Sequence, residues 1–595
     1  MIQKMIQKMC RTSLSRIRSL TLLILCCMLL LSCVPLQAAE KKLPSGIAYE
    51  ELDASIKNYI KEHESTTVGL AWSVFDEKED ISSGYYGYAN REKEIPADEE
   101  MVFEWGSGSK ILVWLSVMQL YDQGKIDLEE DIRTYLPEGF LTNQKYEKPV
   151  TMLNLMNHTA GFEYGMADVN INKNGVYSSL EEAVSAHKPA QINEPGTITS
   201  YSNWGTSLAA YIVGQISGME YADYVHQNIF EPLGMEHTAI YMDLSDNKWV
   251  LDKRQEQACY TVDGELLENS FVYITLYPSG RCTSTFGDFT TLAKAILNKD
   301  PRIMKQEAWD TMFTPSDYYE DTDLPKNYHG LWCIYLGVPA VGHIGRTTGS
   351  SCYLLVDPEH KIGSLFACNQ SGDLVYTEGV RSLIYGDFKY SDYGEEPALP
   401  KKDYRNVSLD TGGAFKLMSF FSAAASPLNT SGQYYKPSSF GSLSRIEFAY
   451  MDYQEISGSR RFAESFTFGS YIAGLIFLAV TLLGRLLLKL FRKNKEKREL
   501  SLWSIISSVL PFTITILYLY SISSVSYPSS RYIWALIAIG VITVLMCAAA
   551  LYGIIKNVRA DLPRIQKIYN YMIIIVLILT VIYVCYWNMF MFWRI

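Results

Sequence analysis

The last 130 residues limit this chain most. Four apolar stretches, at about 466–484, 503–526, 532–555 and 570–593, are each long enough to cross a bilayer as a helix, which takes about 20 residues. As buried helices of a soluble core they would need amphipathic partners, and none accompany them. These spans contain no Asp, Glu or His, so they suggest an anchor and no ion or proton path. The loop after the first span carries Arg485, Lys489, Arg492, Lys493, Lys495, Lys497 and Arg498, and the loop after the third carries Lys556, Arg559, Arg564 and Lys567. Between the second and third spans only Arg531 is basic. Basic loops stay in the cytoplasm, which puts residues 40–465 on the opposite side of the membrane.

The N-terminus agrees. Lys4, Lys8, Arg11, Arg16 and Arg18 form a basic segment, Leu20 to Leu31 a short apolar one, and Leu36-Gln37-Ala38-Ala39 offers small residues for cleavage. Residues 1–39 read as a signal peptide, with an uncleaved anchor as the alternative. Leu30-Leu31-Ser32-Cys33 also resembles a bacterial lipobox, which would lipidate Cys33. The chain carries a net charge of −11, which argues against a nucleic-acid partner. Of its 11 cysteines, Cys259, Cys282, Cys333, Cys352 and Cys368 fall in the exported part without C-x-x-C pairs, so no zinc site is expected. Cys352 and Cys368 flank a turn and could face each other across a hairpin, or be buried free thiols.

Within the exported part, Ser107-Gly108-Ser109-Lys110 opens a helical pattern in which Ile111, Leu115 and Met118 recur at helical spacing. A Ser and a Lys three apart lie one turn apart on one face, where the amine can serve the hydroxyl as a base. Read blandly, the same tetrapeptide is a helix cap beside a solvated lysine. Tyr201-Ser202-Asn203 follows, after Glu194-Pro195-Gly196, and His343-Ile344-Gly345 comes later. Val68 to Phe75 and Ile81 to Tyr88 read as one hairpin, and Cys352 to Val356 with Ile362 to Ala367 as another. Strands at both ends with helices between suggest an antiparallel sheet of α/β (α+β) type, closed by N- and C-terminal strands. Residues 386–465 are polar and rich in Ser, Gly and Tyr, either a linker or a small extracytoplasmic module.

These motifs, with Gly124-Lys125-Ile126-Asp127-Leu128, Tyr135-Leu136-Pro137, Leu155-Met156-Asn157-His158-Thr159-Ala160-Gly161, Pro232-Leu233-Gly234-Met235 and Ser284-Thr285-Phe286-Gly287-Asp288, resemble the serine β-lactamase and penicillin-binding-protein superfamily. The likeness is to the branch that holds class C β-lactamases, D,D-peptidases and esterases, and it covers roughly residues 45–385. It implies a β-lactamase/transpeptidase-like sheet with flanking helices and a helical subdomain, here spanning 40–385, and an active site at their junction. It implies acyl transfer through Ser107, with Lys110 and Tyr201 sharing the base role and the backbone N–H groups of Ser107 and Arg346 forming an oxyanion hole. Asn203 would hold Lys110 or a substrate amide, and His343, Gly345 and Arg346 would border the substrate. His343 stands where many members have lysine. That is similar to the esterases and peptidases of the branch, and a histidine offers a weaker, pH-dependent positive charge. His158 reads as structural, and His187, His226, His237 and His329 lack ligand spacing. No cofactor or metal is expected. The partners implied are a small-molecule or peptidoglycan-like substrate and a lipid bilayer. The implied setting is a multi-pass protein of a bacterial cell membrane with its catalytic domain outside. An acylated receptor that signals without turnover is the alternative.

Overall fold

The computed structural model describes residues 41–164, 179–397, 403–407, 434–491, 502–523 and 530–590, apart from 143, 269 and 441, together with the isolated residues 1, 2, 5, 21 and 420. The leader with its lipobox-like Cys33, and most of the first basic loop, lie outside the described residues.

Among these residues, nine strands form one antiparallel sheet. From edge to edge they are Ile95–Pro96, Asp80–Asn90, Gly69–Asp76, Ile362–Cys368, Ser351–Asp357, Pro339–Arg346, Leu331–Tyr335, Pro325–Tyr328 and Asp317–Tyr318. Leu70 to Asp76 pairs with Cys368 to Ile362, so the two ends of the domain meet in the middle of the sheet as the sequence suggests. The central strands are buried on both faces. Helices Tyr49–Glu62 and Val375–Tyr385 cover one face, where Leu52, Ile56 and Ile384 meet Leu70, Trp72 and Val74. Helices Lys110–Asp122 and Phe286–Leu297 cover the other, against Ala71 and Phe75. Ser351 pairs with Cys368 and Cys352 with Ala367, so the two cysteines point to opposite faces and both stay free thiols.

The Lys110–Asp122 helix is buried well beyond the face that Ile111, Leu115 and Met118 mark: every residue from Lys110 to Leu120 is buried. Leu112, Val113 and Trp114 are enclosed as fully as Ile111 and Leu115. The helix is thus gripped on all sides, and at about 1.5–3 kcal/mol for each large apolar side chain it is a strongly fixed mount.

Within the polar stretch at 386–465 the chain forms a second antiparallel sheet of four strands, in the order Tyr404–Asn406, Asp452–Glu455, Leu443–Glu447 and Lys436–Phe440. Tyr404, Tyr435, Ile446 and Phe448 give it a small core of its own.

The C-terminal segments form helices Gly458–Phe491, Leu502–Ser523, Ser530–Arg559 and Arg564–Tyr586, each long and apolar enough to cross a membrane. They pack together through Leu478, Ile514, Ile539 and Leu577, and Tyr471 stacks on Tyr583 at 4.0 Å. The first helix starts eight residues earlier than hydropathy suggests. Its opening turns carry Arg460, Arg461 and Glu464, and Glu464 is buried between Arg405 at 3.0 Å and Arg460 at 2.9 Å. Paired in this way, charges that break the hydropathy pattern do not break the helix.

Candidate active site

Ser107 lies in a short 3-10 turn, Gly106–Ser109, that feeds directly into the Lys110–Asp122 helix. Ser109 ties the turn down: its hydroxyl donates to Gly106 O at 2.7 Å and accepts from Cys282 N at 3.0 Å. The end of strand Pro339–Arg346 passes close by. Gly106 sits at φ +49°, and a Cβ there would stand 2.6 Å from Arg346 N. A Cβ on Gly345 would stand 1.8 Å from Trp105 O. Only glycine at both positions lets two backbones approach this closely.

Lys110 is fully buried, and its ammonium reaches three acceptors: Ser107 Oγ at 3.3 Å, Asn203 Oδ1 at 2.8 Å and Ser279 O at 2.6 Å. Three N–H bonds with three oxygens satisfy a buried ammonium. Asn203 begins the helix Asn203–Ser217, capped by the Ser202 hydroxyl, which accepts from Gly205 N. Tyr201 precedes that cap and donates its phenol O–H to Ser107 Oγ at 2.7 Å. Its ring lies 4.8 Å from the Lys110 ammonium. Burial pushes the Tyr201 phenol above its ordinary range, and the bond to Ser107 offsets this only in part. Burial thus favours the protonated phenol, which is the form that donates to Ser107 Oγ.

Rings enclose Tyr201: His158 at 4.7 Å, Trp332 at 5.6 Å and Tyr164 at 6.5 Å. His343 stands behind Trp332, with ring centres 4.1 Å apart. It is fully buried, and its Nδ1 hydrogen bonds Ile344 O at 2.7 Å. Burial first, and the nearby Lys110 charge second, push its pKa down to about 3. The expected pH-dependent positive charge at His343 therefore does not form near neutral pH: a buried imidazole beside an ammonium stays neutral. His158 is likewise buried and shifted well down, for the same causes and by His343 itself. Arg346 is exposed at the strand end.

Three partners of this site carry no readable motif. Ser279 contributes a backbone carbonyl, which has no sequence signature. Glu104, three residues before the serine, is buried with Arg254 at 2.9 Å and Arg281 at 3.2 Å. Burial alone would raise the Glu104 pKa, but the two arginine charges outweigh it and hold the carboxyl below its usual range. This cluster locks the serine turn to the 279–283 segment. The third partner is the small sheet. Tyr201 N donates to Tyr450 O at 3.1 Å, Thr199 N donates to Asp452 Oδ2 at 2.9 Å, and Asp452 N returns a bond to Thr199 O at 2.9 Å.

The beta-lactamase family profile matches residues 52–384. The chain is similar to PbpX of Bacillus subtilis (strain 168), 27% identical over 284 residues, 46% of this chain and 65% of that protein. It is 26% identical over 205 residues to a beta-lactamase of Providencia stuartii, covering 34% of this chain and 50% of that one. It is 27% identical over 215 residues to the teichoic acid D-alanine hydrolase of Staphylococcus aureus, covering 36% of this chain and 51% of that one. The match thus spans about half to two thirds of the length of these relatives. The family match takes in the serine turn, the tyrosine and asparagine that meet it, and the strand that passes it, so this chain belongs to the beta-lactamase family.

Proposed function

We propose that this chain is a membrane-anchored serine hydrolase that cleaves an amide or ester of the cell envelope, or a related small molecule, through an acyl-serine intermediate. Residues 1–39 serve as the leader, 40–385 as the catalytic domain outside the membrane, and 466–595 as four membrane spans. The observation that carries this reading is Ser107 Oγ, which meets the Tyr201 phenol at 2.7 Å and the Lys110 ammonium at 3.3 Å.

Attack requires the group of Ser107, Lys110 and Tyr201 to give up one proton. The apparent pKa of that loss belongs to the group and not to one residue. Ser107 Oγ then bonds to the substrate carbonyl carbon, and its proton passes through Tyr201 or Lys110 to the leaving amine or alcohol. Backbone N–H groups of Ser107 and Arg346 receive the developing oxyanion, a contribution of about 3–4 kcal/mol in other acyl-transfer enzymes. Water, activated by the same tyrosine, releases the acyl group and restores the serine. Asn203 holds Lys110 in place, Gly345 keeps the strand against the serine turn, and Arg346 borders the substrate at the rim. His343 acts as a neutral wall behind Trp332. The names of the relatives include a beta-lactamase and a D-alanine hydrolase, which supports testing amides and esters alike.

The test is covalent labelling with a fluorophosphonate and a fluorescent penicillin, followed by peptide mass spectrometry. The adduct is expected on Ser107 and is absent in Ser107→Ala. An adduct on another serine refutes the assignment. One acylation per chain with no turnover of any ester or D-amino-acid amide would favour the receptor alternative.

A further inference from the structure

The small sheet of residues 404–455 meets the active site, although it lies outside the matched family region. Its contact is the turn between strands Leu443–Glu447 and Asp452–Glu455. Ser200 and Met451 form an antiparallel bridge there, next to the bond from Tyr201 N to Tyr450 O. The dock is held by charge as well as backbone. Asp452 is fully buried, Arg445 lies 3.6 Å from it, and Arg445 Nη1 donates to Thr197 O at 2.6 Å. So much buried polar pairing fixes one register between the turn and the tyrosine strand.

Tyr450 is half-buried, and its ring lies 5.4 Å from Trp332 at an interplanar angle of 30°. Trp332 is also half-buried and touches the Tyr201 ring. Trp332 thus joins the rings of Tyr450 and Tyr201 into one aromatic group beside Ser107. Flat faces of this kind favour flat or apolar groups over small polar ones.

We propose that Tyr450 is a specificity-determining residue of this active site: with Trp332 it forms a wall that selects substrates carrying a flat apolar group next to the scissile bond. This rests on the serine-hydrolase reading and adds a substrate class to it. Tyr450 comes from outside the matched family region, so its share of the selectivity is a property of the longer chain.

The experiment compares a phenylacetyl and an acetyl ester of the same leaving group on the full-length protein in detergent. It uses the ratio of their kcat/KM values, which does not depend on how much enzyme is correctly folded. The wild-type ratio should favour the phenylacetyl ester, fall about tenfold in Tyr450→Ala as a stacking contact is lost, and return in Tyr450→Phe. A ratio that is unchanged in Tyr450→Ala, or not rescued by Tyr450→Phe, overturns the wall. If the wild type turns over neither ester nor any amide, the hydrolase reading itself fails, an outcome distinct from an unchanged ratio.

Discussion

Replacing Tyr201 by Phe removes one oxygen from the centre of the proposed chemistry and little else. The phenol donates to Ser107 Oγ at 2.7 Å, and without it the nearest remaining donor is Lys110 at 3.3 Å. The ring keeps its neighbours His158, Trp332 and Tyr164. Its backbone N–H keeps Tyr450 O. The cost to folding should be that of one hydrogen bond, about 1 kcal/mol. The cost to catalysis should be that of a general acid–base group, about 100- to 10,000-fold in kcat. At 1.36 kcal/mol per factor of ten, that is about 3–5 kcal/mol of transition-state stabilisation. Because the loss falls on the transition state, KM should move by less than about threefold. The assay is steady-state hydrolysis of an ester by the purified full chain, with Ser107 labelling to count competent sites. The wild-type kcat/KM should also fall as pH drops, because the group of Ser107, Lys110 and Tyr201 must have lost a proton to act. A Tyr201→Phe enzyme within about tenfold of the wild-type kcat would show that the tyrosine only packs.

Glu104→Leu leaves Arg254 and Arg281 buried without their shared carboxylate, and should cost about 3–5 kcal/mol, read as a lower urea midpoint for loss of Ser107 labelling. An unchanged midpoint would mean the cluster is not structural. The buried histidines set an acid limit. His343 and His187 have folded pKa values of about 3 and about 4 against 6.5 when free, so the unfolded chain binds more protons between those values. Stability from these two groups is therefore complete above pH 6.5 and is lost as pH falls toward 3–4, at up to about 1.4 kcal/mol per pH unit for each. His187→Asn should flatten that slope in melting curves taken across this window; an unchanged slope would exclude His187 from it. For topology, an impermeant thiol reagent in intact cells should reach Ser526→Cys and miss Asn494→Cys, in a background without native cysteines. The opposite pattern would put Ser107 in the cytoplasm.

What could be read from the sequence divides along physical lines. Local signals carried the two hairpins, 68–88 and 352–367, because alternation and an intervening turn are short-range features. Motif spacing also named the residues that the fold gathers at one point, Ser107, Lys110, Tyr201 and Asn203. Strands of two residues, such as Ile95–Pro96 and Thr238–Ala239, have no period to detect. The Ser279 carbonyl is invisible because every residue has one. Glu104, Arg254 and Arg281 look like surface charges until the chain is folded, 150 and 177 residues apart. The neutral state of His343 depends on its burial beside Lys110, which its tripeptide does not encode. The docking of 449–452 on Thr199 and Tyr201 is a long-range pairing of two unremarkable turns.

The route from the active site to the first apolar helix sets how far the enzyme can reach. Tyr450 is bonded to Tyr201, and only eight residues later the helix at Gly458 begins. Fully stretched, that link covers at most about 28 Å at roughly 3.5 Å per residue. The eight helical residues from Gly458 to the start of the long apolar stretch add about 12 Å at 1.5 Å per residue. With the helix seated in a bilayer, Tyr201 would be leashed within about 40 Å of the hydrocarbon. The ion pair between Arg405 and Glu464 shortens the leash further, since it holds the sheet against the helix instead of letting the link swing. Under the proposed membrane placement, the site would work in a thin layer next to the bilayer and would meet what is anchored in, or diffuses through, that layer.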